Sequence, residues 1–186
     1  MTSVRQYNYP RAKPFPMSQA YSIWLVPDPH TAEYRCLEDL IDEHARKHDA
    51  PDFEPHVTVL GGVAEQRGMV EERTREVVRE RDPFELEFMG VSCSTTDHQC
   101  VFVLVRPSVG LLDVHRQVSE SLGPGGGMYV PHLSLVYGGM PLEDRVREVR
   151  AIEATGVPDA VRADTVAVVD TAGPVTEWET VAAYSL

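Results

Sequence analysis

Two short stretches of this 186-residue chain share one form: Pro55-His56-Val57-Thr58-Val59 and Pro131-His132-Leu133-Ser134-Leu135 both read proline, histidine, apolar, hydroxyl, apolar. In an extended strand, alternate side chains face opposite sides. His56 and Thr58 then share one face while Val57 and Val59 turn towards a core, and His132 and Ser134 do the same on their own strand. Each strand presents an imidazole and, about 6.6 Å along, a hydroxyl. One such segment alone reads as ordinary strand, but a matched pair is a rare coincidence of composition. If the two faces meet, two imidazoles and two hydroxyls converge in a cleft, and that set suits the opening of a phosphodiester. Water attacks phosphorus in line with the departing sugar oxygen, so one group takes a proton on one side while another gives a proton on the other. Imidazole is the side chain whose ordinary pKa lets both protonation states coexist near neutrality. The Thr58 and Ser134 hydroxyls would donate to the non-bridging oxygens. The scheme needs no metal and no cofactor.

The elements that must position these groups are readable from periodicity and breakers. Tyr21 to Val26 is an apolar, aromatic run closed by Pro27-Asp28-Pro29, which predicts a strand. Leu37, Leu40 and Ile41 recur at helical spacing between Thr31 and Lys47. The strand bearing His56 is expected to stop at Gly61-Gly62. Glu65 to Arg81, dense in Glu and Arg at three- and four-residue offsets, predicts a solvated helix. Phe84 to Cys93 and Gln99 to Arg106 read as two strands joined by the polar loop 94–98. The order then repeats: a helix from Val109 to Leu122, a flexible break at Gly123 to Gly127, the strand bearing His132 up to Gly138-Gly139, a helix from Leu142 to Ile152, a strand from Val161 to Asp170 and a last strand from Trp178 to Tyr184. Both halves run strand, helix, His-bearing strand ending in Gly-Gly, helix, strand. This is a duplicated architecture with little identity between the copies. Residues 1–20 have no counterpart in the second half and read as an N-terminal extension, leaving 21–186 as one domain.

Composition narrows the partners. Hydrophobic residues make up 42% and charged residues 25%, ordinary for a globular protein. No run approaches the roughly 20 apolar residues of a membrane span, and residues 1–19 lack a signal-peptide pattern, so a cytoplasmic location is the expectation; separately, the chain is expected to be a monomer. The formal net charge of -12 disfavours a DNA duplex or an anionic membrane as partner. It leaves room for a small anionic substrate. Cys36, Cys93 and Cys100 form an odd set without CxxC spacing and read as inert thiols.

The paired His-x-[Ser/Thr]-x motifs resemble the signature of the two-histidine (2H) phosphoesterase superfamily. Together with YSIWLVP at 21–27, FEPHVTVLG at 53–61, QCVFVLV at 99–105, PHLSLVYG at 131–138 and WETVA at 178–182, they resemble more narrowly the plant and fungal-type cyclic phosphodiesterases. That resemblance implies an α+β fold of two lobes with antiparallel sheets facing across a central groove, helices outside. It implies hydrolysis of ADP-ribose 1″,2″-cyclic phosphate to ADP-ribose 1″-phosphate, and of nucleoside 2′,3′-cyclic phosphates to 2′-phosphates. His56 and His132 map onto the catalytic positions, Thr58 and Ser134 onto the phosphate-holding ones, and Tyr137 onto a tyrosine expected to contact substrate. Loop 94–98 lacks the aromatic residues of plant members, and three cysteines cannot supply their disulfides.

Two other functions fit the motifs: a 2H enzyme acting on RNA ends, ligase-like or 3′-trimming, and a non-catalytic nucleotide-binding module. A long RNA would require a basic track beyond the site, and no Arg/Lys cluster adjoins either motif. All four motif residues are present, against the non-catalytic alternative. His44 and His48 are spaced i, i+4 on a helix, but with no third ligand placed by the sequence they read as a solvated face and not a metal site. His98 is a candidate for substrate contact from its loop, Trp178 for lining the cleft, and Arg106 for charge near the phosphate. The glycines at 123–127 lack the Lys-Ser/Thr of a phosphate-binding loop.

Overall fold

A computed structural model describes residues 20–123 and 128–186. The extension before Ala20 and most of the predicted glycine break lie outside the described residues. The elements follow the order read from the sequence: β1 Tyr21–Pro27, α1 Ala32–His48, β2 Val57–Val63, α2 Arg67–Val78, β3 Phe84–Cys93, then β4 Val101–Val105, α3 Val109–Leu122, β5 His132–Val136, α4 Leu142–Thr155, β6 Ala160–Asp170 and β7 Glu179–Ser185. α1 and α3 begin where the chain supplies side-chain caps. Thr31 Oγ1 accepts from the Tyr34 N–H at 3.2 Å and Ser108 Oγ from the Leu111 N–H at 3.3 Å, each satisfying a donor of the first turn.

One boundary departs from expectation. Gly61-Gly62 does not end β2, which runs on to Val63 opposite Tyr21. A register shift between Tyr21 and Ile23 takes up the irregularity, and Gly62, at φ 71°, adopts a backbone that a residue with a Cβ would resist.

The predicted α+β architecture is present, every strand pairing being antiparallel. The two sets of strands are hydrogen-bonded into one seven-stranded sheet, ordered β1-β2-β5-β4-β3-β6-β7 with a further β1–β6 pairing, where two separate sheets were expected. Four pairings join the halves, one of them between the consecutive strands β3 and β4. Val57 pairs with Leu133 between β2 and β5, and β6 pairs with β3 through Ala160–Ala163 and with β1 through Ala163–Asp170. With the terminal strand β7 set aside, exchanging β1 with β4, β2 with β5 and β3 with β6 maps this pairing scheme onto itself. Helices obey the same exchange: α1 packs on β5 as α3 packs on β2, and α4 on β3 as α2 on β6.

The core lies between helices and sheet, with Leu37, Ile41, Val57, Val59, Leu111, Val114, Leu133 and Leu135 fully buried. Ile23 and Leu25 join it, while Trp24 and Val26 turn to the other face, beside Ala167 and Val169 and under Trp178. β1 is thus paired on both edges and covered on both faces, which explains its unbroken apolar sequence. Among the described residues no helix is long and apolar enough to cross a membrane.

Candidate active site

The pairing of Val57 with Leu133 fixes the geometry of the two motifs. Both side chains point into the core, so their neighbours point to the opposite face. Continuing this antiparallel register sets Thr58 beside His132 and His56 beside Ser134. The four residues form a parallelogram with the imidazoles on one diagonal, their Cβ atoms about 7–8 Å apart. His132 and Thr58 face the groove, whereas His56 is buried against Trp24 and Tyr137 and does not line it.

Both rings are anchored alike. Nδ1 of His56 lies 2.6 Å from the Glu54 carbonyl and Nδ1 of His132 lies 2.7 Å from the Val130 carbonyl, in each case the oxygen two residues earlier and preceding a proline. A carbonyl only accepts, so each Nδ1 carries the proton and donates, and Nε2 is left as the titrating atom. The matched prolines of the two motifs therefore belong to the device that orients the rings.

The environments differ. His56 is 3% exposed, its ring stacked on Trp24 with centroids 3.6 Å apart and planes 11° from parallel. The Tyr137 hydroxyl lies 3.4 Å from its Nε2. Burial, with added repulsion from the nearby His132, pushes the His56 pKa down to about 4 despite the Glu54 carbonyl. His132 is only half-buried; burial lowers its pKa too, the Val130 carbonyl opposing. Gln99 donates to His132 Nε2 at 3.2 Å. Burial also pushes the Tyr137 phenol up to about 12, keeping it protonated and able to donate.

These shifts set a pH dependence of stability. The unfolded chain protonates His56 near 6.5, whereas the folded chain excludes that proton until about 4. Between those values the unfolded state holds more protons. The contribution of neutral His56 is therefore complete above pH 6.5, shrinks as pH falls and is gone below about 4, a total on the order of 3 kcal/mol. Urea unfolding from pH 7 to 4.5 is expected to record this loss, and His56→Gln to flatten it. An unchanged slope in the variant would assign the acid lability elsewhere.

Thr58 and His132 line a cavity of about 520 Å³, with Trp24, His98, Gln99 and Tyr137 among the other walls. This volume suits a small organic ligand. Ser134 is buried, and its hydroxyl donates to the His98 carbonyl at 3.2 Å, so it faces loop 94–98 before it faces any ligand. The structure brings His98 and Trp178 to the groove, their rings stacked with centroids 5.9 Å apart. It takes Arg106 away: that guanidinium pairs with Glu87 at 2.9 Å, both side chains well exposed. His115 Nδ1 meets the Val59 carbonyl at 2.8 Å and ties α3 to β2.

Trp24 and Gln99 escaped the sequence reading. Trp24 sits opposite Thr58 in the β1–β2 register, and no local pattern distinguishes it from its core neighbours. Gln99 follows the loop at the start of a predicted strand, and only the fold sets it against His132. Cys100 is buried as expected.

The family model for cyclic phosphodiesterase-like proteins matches residues 17–186. A search of curated proteins returned no match. Among solved structures, E. coli LigT complexed with ATP is similar at 12% identity and a TM-score of 0.57, covering 90% of this chain and 97% of that one. LigT complexed with phosphate is similar at 13% identity and 0.56, covering 90% and 97%. A further structure, described as a phosphoesterase, is similar at 10% identity and 0.56, covering 90% and 98%. At these identities the likeness is one of fold. With two similarly anchored imidazoles on adjacent strands and a family match over nearly its whole length, the chain belongs to the cyclic phosphodiesterase-like proteins of the 2H phosphoesterase superfamily.

Proposed function

We propose that this protein hydrolyses small cyclic phosphodiesters without a metal, in the manner of the plant and fungal-type cyclic phosphodiesterases. The observation that carries this reading is the matched anchoring of His56 and His132, which leaves one Nε2 on each to exchange protons. His56, the more deeply buried, is the general base; its neutral Nε2 takes a proton from water as the oxygen attacks phosphorus. His132, closer to solvent, carries the proton given to the departing sugar oxygen. The cyclic P–O bond breaks and a ring-opened monoester leaves, with the proton returned from His56 to His132 through solvent. Thr58 donates to a non-bridging oxygen, as does Ser134 once its hydroxyl turns from the His98 carbonyl. Tyr137 hands over from His56 Nε2 to substrate or water.

No lysine or arginine among the described residues lines the groove, and the adjoining pocket, which shares Trp24 and Trp178, carries Glu38, Asp42, Asp52 and Glu54. Such walls favour nucleoside 2′,3′-cyclic phosphates, with one charge, over ADP-ribose 1″,2″-cyclic phosphate, with more. They disfavour an RNA tail still further. The sugar or base has Trp178 and His98 to stack on.

The test is turnover of these three substrates in excess chelator across a pH series. Cyclic nucleotides are expected to be cleaved fastest. With both imidazoles lowered, the bell of kcat/KM is expected to peak on the acid side of 6.5. Loss of turnover on adding chelator, or preference for the RNA end, would count against the reading.

A further inference from the structure

We propose that His44, His48 and Glu148 bind a divalent transition-metal ion of the zinc type, at a site separate from the groove that ties α1 to α4. The solvated helix face expected for the two histidines is not what the fold makes of them. His44 is 5% exposed and Glu148, from α4, is 4% exposed. The third ligand that the sequence could not place arrives from the far half of the chain.

The three side chains offer ligand atoms that all lie within 4.8 Å of one another. His44 Nδ1 is 2.7 Å from Glu148 Oε2, and His48 Nε2 is 3.2 Å from Oε1. These separations are close to those between neighbouring ligands about 2.0–2.2 Å from one zinc ion. Neither imidazole contact has hydrogen-bond alignment: His44 Nδ1, His48 Nε2 and Glu148 Oε2 are buried without a hydrogen-bond partner. Buried, unpartnered donors of this kind call for an occupant. The i, i+4 spacing puts both rings on one face of α1, nearly parallel at 8°.

Lys47 also reaches the Glu148 carboxylate, with Nζ 2.5 Å from Oε1. Its side chain is half exposed and free to swing into water when a cation of higher charge arrives. Two imidazoles and one carboxylate form a set suited to zinc and ill suited to magnesium, which prefers oxygen. With three protein ligands, the fourth position would go to water.

The place matters as much as the ligands. Under the exchange that relates the halves, the α1–α4 contact corresponds to α2–α3. There Arg73 of α2 reaches the Ser121 carbonyl at 2.6 Å, and Arg81, in the segment just after α2, reaches Asp113 at 2.8 Å. One helix pair is bridged by guanidinium groups, the other by a convergent His-His-Glu cluster. The ion would act as a staple between elements from opposite halves, and its binding energy would appear as folding stability.

The experiment uses the full chain, stripped with chelator and dialysed. Zn2+ is titrated against a chromophoric chelator and by thermal unfolding, and Co2+ serves as a spectroscopic probe. The expected result is one ion per chain, a midpoint that rises with Zn2+ but not Mg2+, and visible bands of tetrahedral Co2+. Glu148→Gln and His48→Gln are expected to weaken binding on the order of 100-fold and to remove the rise, while His132→Ala leaves both intact. The Co2+ spectrum of the unaltered chain tests the site even if a variant folds poorly. Absence of stoichiometric binding overturns the proposal, as does binding lost in His132→Ala but kept in Glu148→Gln.

Discussion

Alanine at either His56 or His132 is expected to lower kcat/KM on a nucleoside 2′,3′-cyclic phosphate by about 10³-fold or more, since each proton transfer contributes roughly 10²–10⁴-fold. The double variant should fall little below the worse single one, because acid and base act in one step and their losses do not add. The two variants should differ in stability. His56 is stacked against Trp24 and buried, so its truncation opens a hole beside the indole. His132 is half-buried and should be removed at smaller cost. Steady-state kinetics paired with urea unfolding separates the effects. Activity of either variant within tenfold of the unaltered protein would contradict the assigned roles.

Arg145→Met is expected to be the most damaging change away from the groove. Arg145 is 4% exposed, and its guanidinium donates to the carbonyls of Met140, Ser94, Thr96 and Gly138 and to Asp97 Oδ1, at 2.7–3.4 Å. Those acceptors hold the loop that carries Thr96, His98 and Gln99 to the groove. Without the guanidinium, several carbonyls lose their partner, and a loss of about 3–5 kcal/mol follows. In a chain of this length that is a midpoint about 10 °C lower. Ser134 and His132 would lose the fixed positions of the His98 carbonyl and Gln99, so kcat/KM should fall on the order of 10²-fold even well below the new midpoint. The milder change Arg145→Lys should rescue little: one ammonium cannot reproduce a fork that serves acceptors on two segments. Thermal unfolding with kinetics at low temperature checks both parts, and full activity in the folded variant would detach the loop from catalysis.

Element order was legible because each element carries its own local signal. The apolar alternation of Val57, Val59, Leu133 and Leu135 matches their full burial. Helical spacing of Leu37 and Ile41 did the same for α1. Long-range pairings left no such trace. Nothing in Ala160–Asp170 announces that its first residues pair with β3 and the remainder with β1, which is what merges the expected two sheets into one. Glycine breaks strands locally, so the pair after His56 predicts a stop, yet in the fold it permits a bulge within a continuing strand. His56 and His132 stand out in the sequence because the same motif appears twice. Trp24, Gln99, Arg145 and Glu148 appear once, and act through partners between 32 and 104 residues away, so only the folded chain reveals them.

The proposed catalysis requires two imidazoles to meet one phosphate. Nitrogen-15 NMR of the histidine side chains, recorded while a nucleoside 2′-phosphate is titrated in, observes that directly. The Nε2 resonances of His56 and His132 should move together along one saturation curve, and the pKa of each should rise as the anion favours its protonated form. A single responding histidine, or two with different saturation curves, would contradict a shared phosphate site.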